Sequence, residues 1–209
     1  MDYLQRNMTF AVVGDTHVPD RVGEFHPQLV SMLQDIRPDK IFHTGDISEE
    51  EVLGQLTAIA PVIAVRGNRD WHWKKPLPME IELEVNGVKL VLLHGHGGWG
   101  HYLVDKTDNT FRGYRLDRYR KYLSRKYPEA NGYIFGHSHF PENSTLDGKL
   151  YFNPGSACLG GVPGIPPSFG VLSISGSGEV IGRIRPLEGY RIESGKWVLS
   201  NTPDLVLDQ

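Results

Sequence analysis

The sequence predicts an α/β fold in which two β-sheets pack face to face with helices outside. Three observations carry this reading. Five short apolar runs, Thr9–Val13, Lys40–Phe42, Pro61–Val65, Val88–Leu93 and Tyr133–Phe135, read as buried strands rather than helices. Stretches with helical spacing separate the first three runs, and this βαβα order implies parallel strands with crossover helices. Beyond His139 the texture changes to short strands divided by turns, which implies antiparallel pairing.

In chain order, Pro27–Ile36 carries Leu29, Val30, Met32, Leu33 and Ile36 at helical spacing and stops before Pro38. Ser48-Glu49-Glu50-Glu51 has the form of a capping box, opening a helix with Val52, Leu53, Leu56 and Ile59 on one face. Glu80–Val85 and Val88–Leu93 flank Asn86-Gly87, the strongest short hairpin signal. A third helix is expected over Phe111–Tyr127, with Phe111, Tyr114, Tyr119, Tyr122 and Leu123 roughly on one side. Strands are then expected at Lys149–Phe152, Phe169–Ser175, Glu179–Arg185 and Lys196–Leu199, with Gly176-Ser177-Gly178 as one turn. Residues 155–168 are dense in Gly and Pro, which in a compact domain marks a functional or mobile loop. With no internal repeat and no long linker, residues 1–209 read as one domain. Residues 1–7 are a polar, dispensable extension ahead of Met8.

A net charge of −3 and 22% charged residues give no general pull toward nucleic acid or an anionic membrane. The single cysteine, Cys158, permits no internal disulfide and suits a reducing compartment. The first residues lack the basic stretch and apolar core of a signal peptide, and no apolar run approaches the roughly 20 residues that cross a bilayer. A soluble cytoplasmic protein without a membrane partner is the expectation, with assembly into a homo-oligomer left open.

Each of the five apolar runs ends near a glycine and a potential metal ligand: Asp15 and His17, Asp46, Asn68, His94, and His137 with His139. Strands lying side by side bring such ends to one rim of the sheet. Asp15 and His17 are two apart and share a face in extended backbone, as do His137 and His139. The two oxygens of Asp46 can hold two cations at once, and Asn68 adds a neutral oxygen that limits negative charge. Mixed nitrogen and oxygen ligands without thiolate suit Mn, Fe, Co, Ni or Zn. The set is too large for one tetrahedral ion and about right for two sharing a carboxylate, which promote in-line phosphoryl displacement. Singly, each residue has a duller reading, since Gly-Asp pairs are common turns. Their joint placement after five strands favours the metal site. His26, His72 and His101 lack that placement, and His43 is expected to pack below. Asn153-Pro154-Gly155-Ser156, directly after a strand, could bring N–H groups to an anion or simply close a sandwich edge.

Gly14-Asp15-Thr16-His17, Gly45-Asp46, Gly67-Asn68-Arg69-Asp70, His94-Gly95-His96 and Gly136-His137-Ser138-His139 resemble the five blocks of the calcineurin-like metallophosphoesterases. Asn153-Pro154-Gly155-Ser156 resembles the loop that closes the site in their small single-domain, YfcE-like branch. The likeness spans about residues 8 to 185. It implies a four-layer α/β/β/α sandwich of two mixed sheets with a dinuclear centre. By that likeness Asp15, His17, Asp46 and His139 bind one metal, and Asp46, Asn68, His94 and His137 the other. Manganese is the first expectation for both ions, with iron, nickel, cobalt or zinc as alternatives.

Two departures stand out. Larger members place a histidine after the metal-binding Asn, and here that position is Arg69. The segment from Gly97 to Asn131 is longer and more basic than the small branch usually carries. It sets Arg112, Arg115, Arg118, Arg120, Lys121, Arg125 and Lys126 against Asp117 in its helical part. It reads as a solvated helix face or, more sharply, as a lid or an anion-recruiting flank near the site.

The function expected is a dinuclear metal-dependent phosphoesterase, foremost a phosphodiesterase, hydrolysing a small phosphate ester by attack of a hydroxide held between the metals. Asp46, Asn68, Arg69 and His96 are the candidate catalytic residues. Asn68, Arg69, His96, Asn153 and Gly155 are the candidate substrate contacts. Two rivals differ in class: a metal-binding scaffold for protein interaction that has lost the chemistry, and a nuclease holding a phosphate backbone on the basic helix, with binding that falls steeply with salt.

Overall fold

The computed structural model describes residues 6–95, 116–160 and 164–200. The described part begins with β1 (Met8–Val13), α1 (Leu29–Ile36), β2 (Lys40–His43), α2 (Glu50–Thr57) and β3 (Val62–Ala64). A hairpin of β4 (Glu80–Val85) and β5 (Val88–Leu93) follows, then α3 (Leu116–Lys126) and β6 (Gly132–Ile134). The remainder is strand: β7 (Glu142–Leu146), β8 (Lys149–Asn153), β9 (Ser168–Ile174), β10 (Val180–Pro186), β11 (Tyr190–Glu193) and β12 (Lys196–Leu199).

Two five-stranded sheets result, ordered β10-β9-β1-β2-β3 and β4-β5-β6-β8-β7. Each has three parallel strands, β1-β2-β3 in one and β5-β6-β8 in the other, edged by antiparallel partners. Both sheets are therefore mixed, as expected. The alternation of side chains builds the layers. Phe10, Val12 and Phe42 point inward from one sheet onto Leu90, Leu92, Ile134 and Phe152 from the other, forming the core between them. Phe10 and Phe42 stack with ring centroids 4.7 Å apart. The intervening residues face outward. Ala11, Val13 and Ile41 pack with Leu29 and Leu33 of α1 and Val52 and Leu56 of α2. Val91, Leu93, Tyr133 and Tyr151 pack with Leu123 of α3 and with Tyr127. Helix, sheet, sheet and helix give four layers, each held by side chains worth about 1.5–3 kcal/mol when fully buried.

Local chemistry explains the elements and one correction. Asn86 and Gly87 both have positive φ, 50° and 78°, which is the two-residue hairpin turn anticipated between β4 and β5. Ser48, however, does not cap α2. Its φ is 80°, the residue before the helix is extended Glu49, and no side-chain cap bond forms there. The backbone of Ser48 is engaged elsewhere: its N–H donates to Asp70 Oδ1 and its carbonyl accepts from Trp73 Nε1.

The structure adds acid partners to the basic helix. Of the expected span, residues 111–115 lie outside the described residues, as does most of the Gly97–Asn131 segment. Two of the cations in the described part anchor α3 across the outer face of the second sheet: Arg120 pairs with Asp147 at the β7–β8 turn, and Lys126 with Glu80 of β4. Acids from neighbouring strands, not visible within the helical segment itself, thus neutralise part of its charge.

Candidate metal centre

The C-terminal ends of β1, β2, β3, β5 and β6 meet at one rim between the sheets. His137 N–H, from the second sheet, donates to Asp15 Oδ2 of the first at 3.1 Å. His94 Nδ1 lies 2.8 Å from the carbonyl of Thr44. Glycine permits this closeness: a Cβ on Gly136 would lie 2.8 Å from Asp15 Oδ2, and one on Gly67 2.1 Å from the backbone nitrogen of Asp46.

Five of the seven expected ligands are in the left-handed region: Asp15 (φ 49°), His17 (49°), Asp46 (53°), His137 (71°) and His139 (58°). Side chains two apart therefore reach the rim from tight turns, not along the face of an extended strand as the spacing suggested. Such conformations cost about 1–3 kcal/mol each and persist where surrounding bonds over-determine them. The middle residue of each pair supplies bonds of that kind. Thr16 Oγ1 is 3.4 Å from the Ile47 carbonyl it donates to, and Ser138 Oγ accepts from Asn153 Nδ2 at 3.0 Å.

The inward-facing atoms form two overlapping groups. Asp15, His17 and His139 have ligand atoms all within 4.8 Å of one another, and so do Asp15, Asp46 and His94. The Asp46 carboxylate faces both ways, with Oδ2 3.7 Å from His17 Nε2 and Oδ1 3.4 Å from His94 Nε2. His137 Nδ1 lies 3.2 Å from His94 Nε2 and 3.0 Å from the Asn68 amide nitrogen, which a 180° rotation exchanges for Oδ1. Asp15 thus reaches both groups, whereas the family likeness placed it in one.

This donor set fits divalent cations. His94 donates Nδ1–H to Thr44, so in the neutral ring Nε2 presents a lone pair to the centre. Asp15 Oδ1 is buried without a hydrogen bond and faces His139 Nε2 at 3.3 Å. His17 Nε2 and His139 Nε2 are 3.2 Å apart. Burial opposes ionisation of Asp15, yet His139, His94 and His17 hold its carboxyl well below the usual range. Burial likewise disfavours charged His94, but Asp46 and Asp15 raise its pKa; at His17 burial wins and the pKa falls. Buried acceptors converging with so few donors are best satisfied by positive ions.

Around this centre, Arg69 is half-exposed, with Nε 3.5 Å from Asp20 Oδ2, and its backbone N–H donates to Asp46 Oδ1 at 2.9 Å. His43 is buried beneath, as expected: Nδ1 accepts from Gly45 N–H at 3.1 Å, and burial pushes its pKa down to about 3. His96 and His101 lie outside the described residues. His72 is exposed, and His26 is buried against Tyr190 and Trp197, in the β11–β12 hairpin.

The closing loop behaves differently from the anion-facing turn considered above. Asn153 is buried, its amide donating to the Gly136 carbonyl and to Ser138 Oγ, while its oxygen accepts the Gly155 N–H. Ser156 Oγ donates to the Asp15 carbonyl at 2.7 Å, and Ala157 N–H to Gly14. The groups of Asn153 and Gly155 assigned to substrate contact are thus engaged within the fold. The loop joins the ligand turns of the two sheets. The residue that sequence reasoning missed is Asp70, fully buried and bonded to three backbone N–H groups of the neighbouring loops. It stands two residues after Asn68 in the sequence, where nothing marks it as a support.

Fold and site together define a metal-binding α/β sandwich. The chain belongs to the calcineurin-like phosphoesterase superfamily, whose domain model matches residues 8–177. It is 30% identical over 173 residues to a probable metallophosphoesterase of Methanothermobacter thermautotrophicus, covering 81% of this chain and 87% of that one. Vps29 of Entamoeba histolytica complexed with zinc shares the fold, with TM-score 0.65 and 24% identity over 87% of this chain and all of that one. An archaeal phosphodiesterase does too, with TM-score 0.56 and 20% identity over 85% of this chain and all of that one.

Proposed function

We propose that this protein is a dinuclear metal-dependent phosphodiesterase acting on a small phosphate ester. The observation that carries the reading is the placement of Asp46, whose two oxygens face His17 on one side and His94 on the other. Asp15, His17, Asp46 and His139 would hold one ion, and Asp46, Asn68, His94 and His137 the other. Bound together, two divalent ions acidify a water at neutral pH and offset charge on the phosphoryl oxygens. Arg69 contributes from the rim, where a guanidinium can hold a phosphate oxygen through two hydrogen bonds. His94 is kept in one tautomer by Thr44, so its lone pair stays aimed inward.

The metal-binding scaffold is the second reading, motivated by the fold shared with Vps29. Against it, no ligand position in the chain is replaced. The nuclease reading is weakened because Arg120 and Lys126 are engaged with acids of the sheet. The test is a turnover screen of metal-stripped protein reloaded with manganese, against aryl phosphodiesters, cyclic nucleotides and sugar phosphates. Diester hydrolysis that needs the ions supports the proposal. Tight uptake of two ions without turnover of any ester would sink it in favour of the scaffold.

A further inference from the structure

Asp70 is the buried carboxylate at this rim that neither ion set employs. Its Oδ1 accepts the N–H groups of Ile47 and Ser48, both at 2.9 Å, and its Oδ2 accepts that of Gly67 at 2.8 Å. These donors occupy the two positions after Asp46 and the one before Asn68. One carboxylate therefore ties the loop following β2 to the loop following β3. The tied segment is conformationally demanding, because Asp46 and Ser48 have φ of 53° and 80° on either side of Ile47. The loops also lie too close for Gly67 to carry a side chain, and Arg69 N–H orients Asp46 Oδ1 from the same turn. Removing the carboxylate leaves three buried N–H groups without their acceptor, and the left-handed turn at Asp46 loses what holds it.

We infer that Asp70 is a positioning residue for the second ion: it sets Asp46 against Asn68 and so fixes the affinity of the ion those two residues share with His94 and His137. The inference rests on the two-ion reading proposed above. Asp70 touches neither ion. Of the first ion's four residues Asp46 alone lies in the loops it ties, while Asp15, His17 and His139 lie outside them, so the first ion depends on it less.

The test is calorimetric titration of the full-length, metal-stripped protein with Mn²⁺, alongside metal analysis and thermal melting. Asp70→Asn keeps the shape but offers one acceptor oxygen where two are needed. The expected result is a first ion weakened far less than the second, which is bound about 10–100-fold more weakly, the range seen when the support of metal ligands is lost. Trp73→Phe serves as the structural comparison: it removes the Trp73 Nε1 bond to the Ser48 carbonyl on the same loop but leaves the carboxylate. It should lower the melting temperature and leave both ions bound as before. If Asp70→Asn does not fold, Asp70→Ser, which leaves room for a water to take the N–H groups, is titrated instead. Two unchanged ions in the variant overturn the inference, as does equal weakening of both or failure of both variants to fold. Wild-type protein that takes up a single ion overturns the two-ion reading itself.

Discussion

His94 and Thr44 come from different sheets, and a 2.8 Å contact from the His94 ring to the Thr44 carbonyl joins them under the centre. A carbonyl can only accept, so Nδ1 carries a proton, and in the neutral ring Nε2 is a lone pair 3.4 Å from Asp46 Oδ1. The bond fixes the ring angle and keeps a proton on Nδ1, so an ion meets Nε2. Beside it, His137 N–H to Asp15 Oδ2 makes a second tie between the sheets. The ligands are thereby positioned by backbone groups of the opposite sheet as much as by their own loops.

Asp46→Asn is expected to lower turnover by more than about 100-fold and to reduce bound metal below two ions per chain. The basis is that loss of supporting residues alone costs 10–100-fold, and Asp46 faces both groups directly. Metal analysis and rates on an aryl phosphodiester check this. Near-native turnover with full metal would rule out the bridging role.

A chain starting at Met8 is expected to fold and keep its metal affinity, with a melting temperature only slightly lower. β1 begins at Met8, which pairs with Ile174. What Arg6 and Asn7 add is peripheral: an exposed ion pair to Asp39, and contacts of the Arg6 carbonyl with Asn86 and of Asn7 Oδ1 with Gly176 N–H. Exposed pairs of this kind contribute about 0–1 kcal/mol. Melting curves and metal content of the two chains decide it; misfolding or metal loss would show that the extension matters.

The central strands were legible because burial leaves a mark in sequence. β1 and β5 are covered on both faces, so their residues are nearly all apolar, and the turn at Asn86-Gly87 announces its positive φ. Two strands were not foreseen. β7, Glu-Asn-Ser-Thr-Leu, is an edge strand with partly exposed side chains and no apolar run, although the Asp147-Gly148 turn after it was a usable signal. Among the described residues β11 pairs only with β12, outside both large sheets. The ligand residues were readable from their places after strands, but their left-handed backbone was not, since it is imposed by bonds from other loops. The Ser48 cap failed for the same reason: Asp70 and Trp73, more than 20 residues away, claim its backbone. Asp70 itself was invisible as a support because its partners are backbone groups, which carry no sequence signature.

His43 is expected to make the protein acid-labile. Burial, against the pull of Asp15 and Asp46, pushes its pKa from 6.5 down to about 3. Between those values the unfolded chain binds the proton and the native one does not, so stability falls as pH drops below about 6.5. His43→Asn, whose side-chain oxygen can accept the Gly45 N–H, removes that part of the slope. In metal-free protein, where ligand titration through bound ions plays no part, the variant's melting temperature should decline less between pH 7 and 4.5. Parallel curves for the two proteins would show that His43 is not the source.

Arg69 sets the final prediction, on leaving groups. A guanidinium stays charged at neutral pH and does not give up a proton, though it can hold a phosphate oxygen. Without a general acid, an aid typically worth ~10²–10⁴-fold, the rate depends on how stable the departing alkoxide is. Aryl phosphodiesters should therefore be cleaved much faster than matched alkyl esters. Arg69→His should narrow that gap. Both oxygens of Asp70 are engaged by backbone N–H groups, so Asp70 cannot orient the new imidazole. Asp20 can, since its Oδ2 already lies 3.5 Å from Arg69 Nε. Adding Asp20→Asn to Arg69→His should then restore the steep dependence on leaving-group pKa. Rates for a series of aryl and alkyl diesters, under conditions where chemistry is rate-limiting, test all three proteins. If wild-type protein cleaves both kinds equally well, some residue other than Arg69 already supplies the proton, and His96 is the first to replace.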